Sequence, residues 1–134
     1  MKNAKIYKCN HCGKTIMQMN EGKGRLACCQ NFMELLIPNS KEEVTKEKHI
    51  PHIISKDNST IEVQTGKSRH VMSKDHYINW IAIFGDDEWV IKWLEPEVDI
   101  PYVVFNTEKQ NEIYSYCNLH GLWKTNIKVE KEIE

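Results

Sequence analysis

Beyond residue 50 the chain carries apolar side chains at every second position, in short runs separated by turn formers. Residues 50–55, 60–65, 77–84, 89–94, 102–106, 112–117 and 122–128 read as seven strands, because β-branched and aromatic residues alternating with polar ones fit a half-buried pleat. In two of these runs the faces are explicit. Trp89, Ile91 and Trp93 point one way, while Ile78, Trp80, Ala82 and Phe84 share another face. Gly85-Asp86-Asp87 supplies the tight turn between them. No segment carries a convincing helical period. Seven short strands in about 80 residues fit an immunoglobulin-like β-sandwich, with Trp80, Trp89, Trp93 and Phe105 expected in its core.

The first 37 residues have a different texture. Residues 6–8 form a short strand that runs into Cys9-Asn10-His11-Cys12-Gly13, where the glycine permits a sharp reversal after two sulfurs. Gly22 and Gly24 mark a second turn, followed by Leu26-Ala27-Cys28-Cys29. Neighbouring strand residues point to opposite faces, so Cys28 and Cys29 converge on one ion only if the backbone bends there. Phe32, Met33, Leu35 and Leu36 are expected to pack beneath this knuckle. A module of about 30 residues buries too little apolar surface to fold without a staple, which a metal provides. Residues 1–37 are therefore read as a small metal-binding domain, 38–46 as a linker, and 47–134 as the sandwich domain.

Composition narrows the function classes. The 134 residues are 40% apolar and 28% charged, with 18 basic and 19 acidic side chains and a net charge of −1. That balance is globular and gives no footing for wholesale binding to nucleic acid or anionic membrane. No apolar run approaches the roughly 18–20 residues of a membrane span, and residues 1–5 show no apolar signal region, so a cytoplasmic protein is expected. Five cysteines, an odd number, in a reducing compartment favour metal ligation over disulfides. Four thiolates at Cys9, Cys12, Cys28 and Cys29 would complete a site by themselves, and spacing alone puts zinc ahead of iron there. His11 lies in that knuckle, but the site is already full, so it is read as a solvated loop residue.

A second constellation involves the sandwich. Cys117 and His120 stand three apart, at the end of a strand and just before Gly121. His49 precedes the first strand, and His70 and His76 bracket the loop 71–75. Strand ends and loops of a sandwich can gather at one rim. Four imidazoles and one thiolate exceed the four ligands of structural zinc. Five protein ligands with one open position, nitrogen-rich with a single sulfur, suit iron. A ferrous ion with one thiolate carries about one net positive charge, and Lys48 adds another, so the site should attract a small anion. His52 sits inside the first strand and is read as a surface or packing residue.

These residues resemble the two-domain superoxide reductases called desulfoferrodoxins over nearly the whole chain. The resemblance is carried by Y-K-C-N-H-C-G (Tyr7 to Gly13), L-A-C-C (Leu26 to Cys29), E-K-H-I-P (Glu47 to Pro51), H-V-M-S-K-D-H-Y-I-N-W-I (His70 to Ile81) and Y-C-N-L-H-G-L-W-K (Tyr116 to Lys124). Three positions depart from the family pattern: Val71 replaces a usual proline, Leu122 stands where a histidine is common, and His52 is extra. The resemblance implies a desulforedoxin-like domain in which Cys9, Cys12, Cys28 and Cys29 hold iron, reversing the zinc preference. At the second centre it implies equatorial His49, His70, His76 and His120 with axial Cys117. It further implies one-electron reduction of superoxide to hydrogen peroxide in antioxidant defence and superoxide detoxification. Lys48 would steer the anion and organise proton-delivering water, and Glu47 would cap the open position at rest. Backbone amides near Asn118 and Leu119 would tune the sulfur. Rubredoxin or a flavoprotein reductase would return the electron, the first iron would be a relay or a staple, and the protein would be a homodimer. Two other functions compete: a non-catalytic iron electron carrier, and a zinc-stapled interaction module on the same sandwich.

Overall fold

The computed structural model describes residues 5–40, 46–106 and 110–127. Contacts divide the chain into two compact units, Lys2–Ile37 and Pro38–Glu134. In the first, β1 (Lys5–Lys8) pairs antiparallel with β2 (Thr15–Gln18) on one side and β5 (Glu34–Leu35) on the other. A separate two-residue ladder joins β3 (Ala27–Cys28) to β4 (Asn31–Phe32). Only Ile6 and Cys9 are buried among this unit's described residues. The expected packing of the apolar stretch beneath the cysteines is met in part. Met33 and Leu36 are half-buried, but Phe32 is 59% exposed and Leu35 lies at the surface. β4 is too short to turn Phe32 inward, and its ring is instead faced by the Arg25 guanidinium at 3.3 Å.

The second unit opens on one helical turn, α1 (Lys46–His49), which the sequence pattern did not predict. Seven strands follow: β6 (Pro51–Lys56), β7 (Thr60–Thr65), β8 (Ile78–Gly85), β9 (Trp89–Trp93), β10 (Tyr102–Asn106), β11 (Gln110–Cys117) and β12 (Gly121–Asn126). All seven expected runs became strands, with ends shifted by a residue or two; Lys128 lies outside the described residues. Two antiparallel sheets result, in the orders β10-β7-β6 and β12-β11-β8-β9. Ile61, Val63, Val103 and Phe105 from the first face Ile78, Ile81, Ile83 and Ile113 from the second, and Cys117 belongs to the same core.

On the other face of the larger sheet, aromatic rings lie side by side across strands. Trp80 stacks on Tyr116, and Phe84 meets both Tyr114 and Trp89. Buried Glu112 sits on this face, paired with Lys124 and accepting from the Tyr114 hydroxyl at 3.2 Å. Trp80, Trp89 and Trp93 all lie on this outer face and not in the sandwich core expected for them: Trp80 is buried there among its neighbours, Trp89 on the edge strand β9 is half-buried, and Trp93, cross-strand partner to Trp80 on that same edge strand, is 69% exposed. At the opposite edge, Asn39 adopts a φ of +60° and ties to β12 through Leu122 and Lys124. Residues 41–45 of the expected linker lie outside the described residues.

Candidate metal centres

In the first unit the cysteine knuckle closes with the Cys9 amide donating to the Lys14 carbonyl, and the Gly13 amide, at φ +81°, donating to the Cys9 carbonyl. The bend that adjacent cysteines require is present. Cys29 and Gln30 have φ of +51° and +67°, left-handed values rare for residues with a Cβ. The four sulfurs lie within 4.8 Å of one another, with Cys12 to Cys28 at 3.7 Å and Cys28 to Cys29 at 3.8 Å. That is far beyond an S–S bond of about 2.05 Å, and it matches the edge of a tetrahedron built on metal–sulfur bonds of about 2.3 Å. The Cys12 amide pulls the Cys9 thiol down to about 6, while hydrogen bonding with Cys28 and the other sulfurs pushes Cys29 up to about 12. Four thiolates cannot share this space without a cation, so the donor set fits a metal.

The second group is assembled from four separate pieces of the sandwich domain. His49 ends α1, His70 and His76 stand in the loop between β7 and β8, and Cys117 ends β11. His120 lies in the three-residue loop to β12, which Gly121 closes at φ +85° opposite Cys117. Donor atoms of His49, His70, His76 and Cys117 lie within 4.8 Å of one another. His120 joins through Nδ1, which is 3.0 Å from His49 Nε2 and 3.8 Å from Cys117 Sγ.

The four rings stand at the corners of a square. Neighbouring centroids are 4.9 Å (His49–His70), 4.7 Å (His70–His76), 4.9 Å (His76–His120) and 4.8 Å (His120–His49), and the His49–His76 diagonal is 6.4 Å. Cys117 Sγ is 3.5 Å from His70 Nε2 as well as 3.8 Å from His120, which occupies the opposite corner. A sulfur close to opposite corners lies near the axis of the square. Two nitrogens 3.0 Å apart and at right angles are each about 2.1 Å from a common centre, the length of a metal–imidazole bond.

Protonation states agree with that use. His70 donates from Nδ1 to the Val71 carbonyl at 2.6 Å, which leaves the Nε2 lone pair for the centre. Burial holds His70 down at about 4 and lowers His76 too, so both rings are neutral at ordinary pH. His76 Nε2 is buried without a hydrogen-bond partner among the described residues. A buried lone pair aimed at other donors is what a cation would satisfy.

The loops are fixed by residues whose role the sequence did not reveal. Asn118 accepts from the Tyr77 amide at 2.9 Å and donates to the Asp75 carbonyl at 2.9 Å, stapling the His76 loop to the Cys117 hairpin. Its own amide donates to the Tyr77 carbonyl at 3.2 Å. Gly66, at φ +83°, lies so close to α1 that a Cβ there would be 2.7 Å from the Lys48 carbonyl oxygen. Lys48, which precedes His49 in the chain, is exposed; the Glu47 side chain lies outside the described residues. His52 and His11 are both exposed and apart from the two groups.

A family model described as desulfoferrodoxin matches residues 41–126, and another, described as desulfoferrodoxin N-terminal domain, matches residues 1–36. The chain is similar to a desulfoferrodoxin of Desulfarculus baarsii, 38% identical over 120 residues that make up 89% of this chain and 93% of the relative. It is similar to a superoxide reductase of Thermococcus kodakarensis, 32% identical over 102 residues, covering 63% of this chain and 89% of that one. The solved superoxide reductase from Treponema pallidum shares the fold, with a TM-score of 0.73 and 24% identity over 92% of this chain and 97% of its own.

Proposed function

The chain belongs to the desulfoferrodoxin family, and from that we propose that it is a superoxide reductase: superoxide gains one electron and two protons and leaves as hydrogen peroxide. The observation that carries this reading is the square of four imidazoles with one buried thiol near its axis. His49, His70, His76 and His120 are the proposed nitrogen ligands and Cys117 the sulfur ligand. Iron in such a set supplies a one-electron reductant with one position the protein leaves open, and the thiolate strengthens it as a donor.

The protein's own groups do the rest. Neutral imidazoles add no charge, so Lys48, exposed and next to His49, supplies the local field that draws a small anion. Its Nζ donates a hydrogen bond to the arriving oxygen anion and orders the water that delivers a proton. Glu47, on the same helical turn, would be the residue that caps the centre between turnovers. The Cys117 side is closed by the core, where Cys117 is fully buried among Ile78, Ile81 and Ile113. Solvent and substrate therefore approach from the opposite side.

Cys9, Cys12, Cys28 and Cys29 hold the other iron, as relay or staple, in a domain spanning 1–37 that residues 38–46 link to the 47–134 catalytic domain. A rubredoxin-type protein or a flavoprotein reductase returns the electron, which makes the chain part of an electron-transport step. The exposed Met19, Phe32, Leu35 and Ile37 in the small first unit favour a homodimer. Cys9, Cys12, Cys28, Cys29 and Cys117 form no disulfide, which favours the reducing cytoplasm, and no helix among the described residues is long and apolar enough to cross a membrane.

Azide or cyanide titration of the oxidised protein tests the open position. A superoxide reductase shifts the spectrum of the second centre and leaves the four-thiolate bands in place. A second centre that binds neither anion, and does not consume superoxide when a donor is present, belongs to an electron carrier.

A further inference from the structure

Trp123 is fully buried and lies against the histidine square without offering it a donor atom. Its indole stacks on the His49 ring, with centroids 5.0 Å apart and planes at 25°, and its Nε1–H donates to the His120 carbonyl at 3.2 Å. His49 and His120 are the neighbours whose ring nitrogens stand 3.0 Å apart with planes at 86°. Ser115 faces Trp123 across the β11–β12 ladder, is wholly buried, and donates from Oγ to the His49 carbonyl at 3.0 Å. One cross-strand pair therefore holds His49 by ring and by backbone, and His120 by backbone.

The origin of His49 gives this grip its meaning. His70 and His76 stand on the β7–β8 loop, Cys117 and His120 on the β11–β12 hairpin, and Asn118 staples the two together. His49 arrives on α1, which belongs to neither sheet. The ring torsion of a histidine is broad and soft, so a ring carried on a single helical turn needs a neighbour to fix its plane. A metal–imidazole bond weakens as the lone pair swings off axis, and partners that orient ligands are generally worth as much as a tenfold to hundredfold change in metal affinity.

We infer that Trp123, with Ser115, is a positioning device that fixes the angle and separation of His49 and His120 and thereby tunes the second metal centre. The inference rests on the ligand set proposed above. A Trp123 that merely filled the core would affect stability and leave the electronic properties of a filled centre unchanged.

The test uses the full chain loaded with ferrous iron, comparing W123F, W123L and S115A with the parent. Three readouts apply: midpoint potential of the second centre, the energy of its sulfur-to-iron absorption band, and the rate of iron loss to a chelator. The four-thiolate centre in the same molecule is the internal control. W123L should lose iron from the second centre about tenfold faster or more, with shifted potential and band. W123F, which keeps a stacked ring but lacks the N–H, should recover most of the parent's release rate while keeping a smaller band shift. S115A should lie between them. If W123L fails to fold, W123F and S115A decide. Variants that lower stability yet keep the parent's potential, band and release rate overturn the inference. A parent that takes up iron only at the four-thiolate centre overturns the ligand set itself, and the positioning role with it.

Discussion

Replacing Gly66 with alanine should unfold the sandwich unit more easily and loosen its metal centre. Two costs add. Gly66 holds a φ of +83°, where a residue with a Cβ is disfavoured by about 1–2 kcal/mol. The new Cβ would also stand 2.4 Å from the Ser68 carbonyl oxygen, 2.7 Å from that of Lys48 and 2.9 Å from the Lys48 carbonyl carbon. All three are backbone atoms, so relief requires moving the β7 loop away from α1, at a cost typical of overpacking, about 1–3 kcal/mol. The sum is about 2–5 kcal/mol. With a urea slope of about 2 kcal/mol/M, mid-range for small domains, the midpoint of the metal-free protein should fall by roughly 1–2.5 M. Tryptophan fluorescence isolates the effect, because Trp80, Trp89, Trp93 and Trp123 all lie in the second unit. The displaced Lys48 carbonyl adjoins His49, so iron should also leave the second centre faster while the four-thiolate absorption stays put. A midpoint within a few tenths molar of the parent, with unchanged iron retention, would show that the close approach of Gly66 to α1 is not needed.

Three further outcomes follow from the same geometry. Cys117→Ser should erase the sulfur-to-iron band of the second centre and superoxide reduction with it, leaving the four-thiolate spectrum intact; retained activity refutes the proposed sulfur ligand. The metal-free second unit should lose stability as pH falls. The unfolded chain protonates His70 near its ordinary 6.5, but burial delays protonation in the folded state to about 4, so roughly 3 kcal/mol present above pH 6.5 disappears between those values; a flat urea midpoint across that window contradicts it. Lys124→Met strands the buried Glu112 carboxylate with the Tyr114 hydroxyl and should cost about 3 kcal/mol, most of which an added Glu112→Leu should restore; equal losses in the single and double variants refute that pairing.

The strands were legible because period-two alternation survives wherever one face of a strand is buried, and β7, with Ile61, Val63 and Thr65 inward, displays it cleanly. Trp93 was misplaced because alternation assigns a face but not whether another layer covers it. Phe32 was misplaced because a two-residue strand is too short to impose a direction. The gathering of these cysteines and histidines into two groups was legible from residue type and spacing. The supports were not. Gly66 looks like any turn glycine until the Lys48 carbonyl is seen beside it, and Trp123 reads as one more core aromatic. Asn118 was noted for its amide, yet its side chain staples the loops. Such roles depend on pairings between strands and loops far apart in sequence, which a local pattern does not carry. The helical turn at Lys46–His49 is too short to show a period at all.

The decisive measurement is the stoichiometry of superoxide consumption by anaerobically iron-loaded protein, followed by rapid mixing with peroxide and dioxygen quantified. Reduction at the histidine–thiolate centre predicts one hydrogen peroxide for each superoxide consumed, one electron drawn from the second centre each time, and no dioxygen. One peroxide and one dioxygen for every two superoxides, or no reaction while that centre is filled and reduced, would contradict it.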